Sequence, residues 1–390
     1  MEKERSRDQR EGEGRKEDEN DLSEDLKEVS KLETGEDETG RHEALHQLRQ
    51  WISNNPRIKT CPTDAGFLLR FLRMKKFDVE GASVTLERYL RMRQETPEWY
   101  RDLDILHPPL LDLVSSGCTF VLPGRDLEGR RVIFHIAGRV DVHKHKSLDI
   151  IRTYHLILES LVSNPEEQVR GFTYIFDFKD VSIPYVALWT PNQFQKAIGQ
   201  GERYLPMRHK SVNLANPPLG FWVIYEFAKH CLSDKIRSRL KVYHTDKYLV
   251  EKIAKENLPR EYGGTIPATE MGKMCKEELL KHREEVLALD GMEYEVEKEK
   301  KGWSLAKVFG IGNKNKNHLH SPEEEWHSSF KVPSGLPLWL TAVMSFPGLP
   351  KLLTKFSDDH DVIGEVEGHV QAGDHVQNLM SAKEFAKLHV

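Results

Sequence analysis

Blocks of hydrophobic and polar positions divide the chain into a helical part and an α/β part. Between residues 42 and 95, apolar side chains recur every three or four positions, as on one face of an amphipathic helix. In the last of these segments Ala82, Leu86, Tyr89 and Leu90 share such a face, and Asp78 precedes it at the capping position. We therefore predict a small all-helical unit over residues 42–95.

Beyond residue 110, short β-rich runs alternate with helical stretches. The β-rich runs cover residues 118–122, 131–137, 172–178, 211–214 and 240–244. The helical stretches cover residues 147–162, 185–198, 219–232 and 247–256. Strands separated by helices of this length are typical of an α/β fold in which crossovers connect a mostly parallel sheet. We predict such a domain over residues 110–270.

Both ends of the chain are rich in charged residues. Residues 1–40 hold 16 acidic and 8 basic side chains and few aliphatic ones, so we predict a disordered acidic tail. Residues 271–390 are predicted to form a polar, flexible tail that contains an apolar island at 336–353. Prolines within that island exclude a long helix there.

Composition and charge narrow the class of protein. The 390 residues contain no apolar run of about 18 residues or more, which excludes a transmembrane helix, and the first residues form no apolar leader. Four dispersed cysteines suit a reducing cytosol. The net charge is −5, and residues 1–40 carry −8, which leaves +3 for the other 350 residues. That excess is too small to indicate nucleic-acid binding, but it allows a local basic patch facing an anionic membrane.

The sequence shows no motif of a known catalytic class. It lacks a Gly-x-Ser-x-Gly elbow, a phosphate loop, a dinucleotide-binding glycine triplet and a His-Glu-x-x-His zinc motif. His143 and His145 have no evident partners for a metal site. Asp177 and Asp180 flank the end of a strand, where we expect them to cap a helix or accept hydrogen bonds. We therefore predict a protein that is not an enzyme and that has no metal or cofactor.

The segment over residues 216–240 is the most informative. Its helical part is apolar over more than one stripe, because Trp222 and Phe227 lie outside the main stripe. Such a helix is either buried in the core or forms the lid of an apolar cavity. Lys235 and Arg239 follow at i, i+4 spacing, either on a solvated face or at an interface with lipid headgroups.

Several segments resemble the CRAL-TRIO lipid-binding family. Residues 67–73, Phe-Leu-Leu-Arg-Phe-Leu-Arg, are similar to its helical lead-in, and residues 258–264, Leu-Pro-Arg-Glu-Tyr-Gly-Gly, to its closing segment. Between them, residues 176–177, 214–217 and 232–236 fall where the family has its central strand and gate. The resemblance covers about residues 42–270 and is strongest to the animal branch with the tocopherol and retinaldehyde carriers and the clavesins.

The resemblance implies a cytoplasmic carrier of one hydrophobic molecule, a retinoid, tocopherol or similar lipid, held between the sheet and a mobile gate helix. It also implies docking on phosphoinositide-containing endosomal or Golgi-derived membranes. It places the phosphoinositide-binding patch at Arg208, Lys210, Lys235, Arg237 and Arg239, with Arg70 as an addition from the helical unit. It places the ligand pocket and gate at Phe134, Ile136, Ile175, Phe194, Ile198, Phe221, Ile224 and Phe227.

The alternative function is a phosphoinositide-sensing trafficking adaptor whose tails recruit partners. Trp339 and Phe346 in the apolar island would then anchor a partner protein or the bilayer surface. The sequence does not distinguish this adaptor from a carrier.

Overall fold

The computed structural model describes residues 22–218 and 221–296. The predicted apolar island at 336–353, with Trp339 and Phe346, lies outside the described residues, as do residues 1–21 of the predicted acidic tail.

The first part of the described chain is helical with one short strand. In chain order its elements are α1 (Glu24–Thr34), α2 (Glu38–Asn54), β1 (Ile58–Thr60), α3 (Ala65–Met74), α4 (Val79–Glu95), α5 (Pro97–Tyr100) and α6 (Pro108–Ser115). The Asp64 and Asp78 carboxylates accept hydrogen bonds from the backbone N–H groups of Phe67 (2.9 Å) and Gly81 (3.1 Å) and so begin α3 and α4. Helices α2, α3 and α4 pack against one another, which confirms the helical unit.

The second part is an α/β domain. Its elements are β2 (Thr119–Arg125), β3 (Arg131–Ile136), α7 (Ser147–Leu161), α8 (Pro165–Arg170), β4 (Phe172–Asp177), α9 (Ile183–Ala187), α10 (Pro191–Arg203), β5 (His209–Ala215), α11 (Phe221–Cys231), α12 (Asp234–Arg237) and β6 (Leu240–Tyr243). The strand order is β2-β3-β4-β5-β6. Strand β2 runs antiparallel to β3, and the other pairs are parallel. The predicted mostly parallel sheet is therefore confirmed.

The strand register defines two faces of the sheet. His135, Phe176, Leu214 and Val242 lie side by side across four strands, on what we call the front face. Their neighbours Phe134, Ile175, Asn213 and Lys241 lie side by side on the back face, because successive side chains of a strand point to opposite sides. Helix α7 covers the front face at β3 and β4, where its Tyr154 ring lies 5.7 Å from the His135 ring and stacks on Phe176 with centroids 5.8 Å apart.

The prediction of a disordered tail over residues 1–40 is wrong for residues 22–40. Helix α1 is ordered although it has few aliphatic residues, because polar contacts supply what apolar burial does not. Arg73 of α3 is 0% exposed, and its guanidinium donates two hydrogen bonds of 2.8 Å to the Glu36 carboxylate just after α1. A buried guanidinium needs such a carboxylate partner, and the pair fixes this segment on the helical unit.

The prediction of a flexible tail from residue 271 is wrong for residues 271–296. Helices α13 (Ala268–Lys281) and α14 (Arg283–Ala288) and strand β7 (Glu293–Tyr294) continue the domain, and β7 pairs antiparallel with β1. Met271, Cys275 and Leu279 are buried at every fourth position of α13, against β2 and α6. The charged residues between them occupy the outer face and conceal this apolar stripe in the composition.

Candidate functional site

Two sets of apolar side chains on the front side of the domain are only partly buried. On the sheet they are Phe176, Leu214 and Val242. On α10 and α11 they are Phe194, Ile198, Ile224 and Phe227. Apolar residues in the middle of a domain are usually closed off from water by close packing. These two partly buried apolar sets therefore favour a pocket for a hydrophobic molecule on the front side of the domain.

Helix α10 is fixed on the front side of the sheet by hydrogen bonds. His209 at the start of β5 bonds through one ring nitrogen to the Gly201 carbonyl of α10 (3.0 Å) and through the other to the Tyr174 hydroxyl of β4 (2.7 Å). Burial lowers the pKa of His209 to about 4, so the ring is neutral at pH 7. The Tyr100 hydroxyl of α5 donates to the Gln200 side chain of α10 (3.0 Å), and α5 packs on α7.

Helix α11, the helix that the resemblance identifies as the gate, makes aromatic contacts with the rest of the domain. Phe227 stacks on Phe194 of α10 with centroids 6.2 Å apart. At its other end Phe221 lies 5.1 Å from the Phe178 ring that follows β4. Such contacts are non-directional, so they resist sliding of the helix less than a hydrogen-bond network does. The structure thus brings together Phe194, Ile198, Phe221, Ile224 and Phe227 of the predicted pocket on α10 and α11.

Three predicted pocket residues require a correction. Phe134, Ile136 and Ile175 lie on the back face, where they are buried in the core. Phe134 packs between Phe120 (centroid distance 5.7 Å) and Tyr262 (4.9 Å). The hydrophobicity of a buried strand does not reveal which of its two faces a residue occupies, and these three positions have the wrong parity for the front.

Four predicted patch residues meet at the amino-terminal ends of the parallel strands. Arg208 and Lys210 lie at the start of β5, while Lys235 of α12 and Arg239 precede β6. Burial, then the positive charges of Arg239, Lys75, Arg208 and Lys76 lower the pKa of the Lys235 ammonium. These five cations therefore act on one another, and Lys210 joins them because it bonds to the same Glu33 oxygen as Arg208. We call Lys75, Lys76, Arg208, Lys210, Lys235 and Arg239 the basic surface.

Lys75 and Lys76 were missed as members of the basic surface by reasoning from the sequence. They lie at the carboxyl end of α3, some 160 positions before Lys235 in the chain. Only the packing of α3 against the α/β domain brings the two segments together, through α8. The available signal was the pair of lysines directly after the family's lead-in motif.

Glu33 of α1 covers part of the basic surface. Its carboxylate oxygen Oε2 accepts from Arg208 Nη2 and from Lys210 Nζ, each at 2.6 Å. Partial burial raises the pKa of the Glu33 carboxyl, but the hydrogen bonds from Lys210 and Arg208 outweigh it, so its pKa lies below the ordinary value. Lys235 is exposed beside this contact.

Arg70 does not belong to the basic surface. It is 6% exposed and forms an ion pair of 3.3 Å with the buried Glu159 of α7. Its guanidinium also lies 4.8 Å from the centre of the Phe67 ring. The sequence does not reveal this burial, because the partner of Arg70 lies 89 positions away and local periodicity does not show it.

Arg237 also has another role than the one predicted. Its guanidinium donates to the carbonyls of Lys229 (3.2 Å) and Leu232 (3.0 Å) at the carboxyl end of α11. It also pairs with Asp234 at 3.1 Å. A cation on the last carbonyls of a helix stabilises that end. Arg237 therefore ties the end of α11 to α12.

The remaining polar candidates form internal hydrogen bonds. Asp177 accepts from the Asn216 amide (2.8 Å) and from the Tyr262 hydroxyl, as expected of a hydrogen-bonding carboxylate at a strand end. His145 bonds to Asp112 at 2.8 Å. Among the described residues no three histidine, cysteine, aspartate or glutamate side chains converge as metal ligands. Within the same residues no helix has the length and apolar character needed to cross a bilayer.

Comparisons with known proteins agree with this architecture. Residues 115–264 match the model of the CRAL/TRIO domain, and residues 37–110 match a Pinta-like UBA domain. The chain is 32% identical to Clavesin-1 of Rattus norvegicus over 256 residues, 65% of this chain and 72% of that protein. It is 28% identical to Clavesin-2 of Homo sapiens over 277 residues, 71% of this chain and 83% of that protein. The solved structure titled "Crystal structure of Sfh5" aligns with a TM-score of 0.41 at 15% identity, covering 63% of this chain and 99% of that one.

Proposed function

The chain belongs to the CRAL-TRIO family of lipid-binding proteins, and we propose that it holds one hydrophobic small molecule between the front face and α11 and carries it between membranes. The observation that supports this most directly is the pair of partly buried apolar walls, Phe176 and Leu214 on the sheet and Phe194 and Phe227 on α10 and α11. Each Å² of apolar ligand surface covered there contributes about 25 cal/mol. A retinoid, a tocopherol or a similar lipid has the chemistry that such walls accept.

The proposed carrier has no catalytic step. His135 is the titratable base on the front face, and both of its ring nitrogens are already bonded, to the Thr119 hydroxyl (2.8 Å) and the Tyr185 hydroxyl (2.9 Å). Burial lowers its pKa to about 4. A general base needs a free nitrogen within reach of the substrate proton. This arrangement favours a structural role for His135.

Membrane docking is proposed to occur through the basic surface, on phosphoinositides of endosomal or Golgi-derived membranes facing the cytoplasm. Lys235 and Arg239 lie in and just after α12, which begins only three positions after α11 ends. Arg237 connects the two helices through carbonyls of α11 and its end. A headgroup bound at α12 can therefore displace the gate helix and couple docking to ligand exchange.

The test is a Lys235→Ala/Arg239→Ala variant in a flotation assay with phosphatidylcholine vesicles that contain phosphatidylinositol bisphosphate. Each lysine or arginine near an anionic surface contributes about 1 kcal/mol, so removing two is expected to weaken binding roughly 30-fold. Lys273→Ala/Lys276→Ala changes the net charge equally, at residues paired within α13, and is expected to bind as wild type does. Equal binding by both double variants would refute the assignment of the basic surface.

The alternative function as an adaptor depends on residues outside the described ones. The fold determines where the chain can be truncated to test it. Because α13, α14 and β7 belong to the domain, a truncation must keep residues up to 296. A carrier without residues 297–390 retains lipid transfer between vesicles, whereas an adaptor loses its partners or its location in the cell.

A further inference from the structure

Helix α1 places an acidic side chain on the cations that are proposed to dock on the membrane. Glu33 Oε2 accepts from Arg208 Nη2 and Lys210 Nζ at 2.6 Å each, and its backbone carbonyl accepts a further bond from Arg208 Nη2 at 3.1 Å. An oxygen between a guanidinium and an ammonium is the environment in which proteins bind phosphate. The Glu33 carboxylate thus occupies a site whose chemistry suits a phosphate oxygen.

Apart from Glu33, α1 is held by a small apolar cluster and by two buried hydroxyl side chains at its carboxyl end, where Ser30 Oγ donates to the Glu36 carboxylate. Leu22 and Leu26 pack on Val169 of α8 in a small cluster that is separate from the main core. Leu32, next to Glu33, is 86% exposed. The Glu33 side chain is itself 42% exposed. The Arg208 and Lys210 side chains are only 8% and 15% exposed, so solvent reaches this contact from the Glu33 side. An anion with several phosphates offers the two cations more negative charge than this single carboxylate does.

A hinge separates α1 from its firm anchor. Gly35 follows α1 with a φ of 75°, and a side chain added there would meet no atom within 4 Å. The next residue, Glu36, is held by the buried Arg73. Rotation about the Gly35 backbone therefore breaks the Ser30–Glu36 hydrogen bond and moves Glu33 away from the basic surface, while the Glu36–Arg73 pair stays intact.

We propose that α1 is an electrostatic latch: Glu33 occupies the phosphate site on Arg208 and Lys210, and the phosphoinositides of a membrane surface replace it and release α1. The proposal rests on the proposed docking of the basic surface. It adds that the free protein is self-inhibited, because the population ready to bind is only the fraction with the latch open. In this structure Arg208 and Lys210 are paired with Glu33, while Lys235 is exposed.

The test compares Glu33→Gln with Glu28→Gln in the full-length chain. Both variants remove one negative charge from α1 at nearly constant volume, but Glu28 is exposed earlier in the helix. Binding is measured by flotation with phosphatidylcholine vesicles, with and without phosphatidylinositol bisphosphate. We expect Glu33→Gln to bind the bisphosphate vesicles roughly fivefold more tightly than wild type, and Glu28→Gln to stay close to wild type.

A second measurement follows the latch directly. Hydrogen exchange of the α1 amides is recorded for the wild-type protein alone, with bisphosphate vesicles and with soluble inositol trisphosphate. The latch predicts faster exchange in α1 on the vesicles and unchanged exchange in α4, and less effect from the soluble headgroup.

The outcomes separate the latch from the docking on which it rests. Equal gains for Glu33→Gln and Glu28→Gln, or α1 exchange that vesicles do not change, would overturn the latch while leaving the docking intact. Failure of all three proteins to prefer bisphosphate vesicles over phosphatidylcholine would overturn the docking itself. Full release of α1 by inositol trisphosphate, without vesicle binding, would show that the site takes a soluble anion and would overturn the membrane as the occupant.

Discussion

The assignment of the two sheet faces predicts opposite effects for two phenylalanines. Phe134 on the back face is 0% exposed and packs between two aromatic rings at 5.7 and 4.9 Å. Replacing such a ring by alanine leaves a cavity and is expected to lower the free energy of unfolding by about 3–5 kcal/mol. Phe227 on α11 is only partly buried, with the Phe194 ring at 6.2 Å, so Phe227→Ala is expected to cost about 1 kcal/mol.

Ligand retention is expected to change in the reverse order. Phe227 contributes to the proposed pocket wall. Its replacement by alanine is expected to weaken the binding of a lipophile about tenfold, which corresponds to about 1.4 kcal/mol of lost contact energy. Phe134→Ala, measured at low temperature where the protein stays folded, is expected to retain the lipophile as wild type does. Urea unfolding gives the stability, and co-elution with α-tocopherol or retinaldehyde gives the retention. A Phe134→Ala variant that keeps its stability but loses the ligand would refute the assignment of the faces.

Three further predictions concern the Arg73–Glu36 pair, the contact of Arg237 with α11, and the dependence of stability on pH. Arg73→Met leaves the buried Glu36 carboxylate without its cation and is expected to lower the free energy of unfolding in urea by about 3–5 kcal/mol. Adding Glu36→Gln should restore part of that stability. A double variant no more stable than Arg73→Met would contradict the pairing. Arg237→Met removes two hydrogen bonds near the end of α11 and should speed exchange of bound tocopherol with little change in stability, so an unchanged exchange rate would argue against its gate role. Burial lowers the pKa of His135 and His209 from 6.5 to about 4, so the fold keeps them neutral while the unfolded chain takes up protons. Stability is therefore full above pH 6.5 and falls as the pH drops towards 4, by up to about 3 kcal/mol per histidine; a flat profile of unfolding midpoints over this range would contradict it.

Local patterns in the sequence were sufficient to predict the main helices and strands. The cap at Asp78 and the alternation of strands and helices beyond residue 110 both appear in the structure. These features depend on neighbours within a few positions, which periodicity and propensity describe well. Lys235 lies in α12, whereas Arg239 lies beyond its end, so the helical spacing predicted for the pair is not seen.

Features that depend on distant partners could not be predicted. Arg70 and Arg73 look like surface cations in the sequence, yet both are buried, because Glu159 and Glu36 neutralise them. Ordering of α1 depends on the same kind of pair. For Phe134 the obstacle was different, because a strand buried on both sides carries no polar alternation that would mark its faces.

Native mass spectrometry of the full-length protein purified from its own tissue, followed by organic extraction of the bound molecule, tests the carrier function most directly. The carrier function predicts a single bound lipophile at one-to-one stoichiometry. The Phe227→Ala variant, expressed in the same cells, is predicted to lose that lipophile. A protein that is empty in every preparation, yet still binds phosphoinositide vesicles, would contradict the carrier function and support the adaptor.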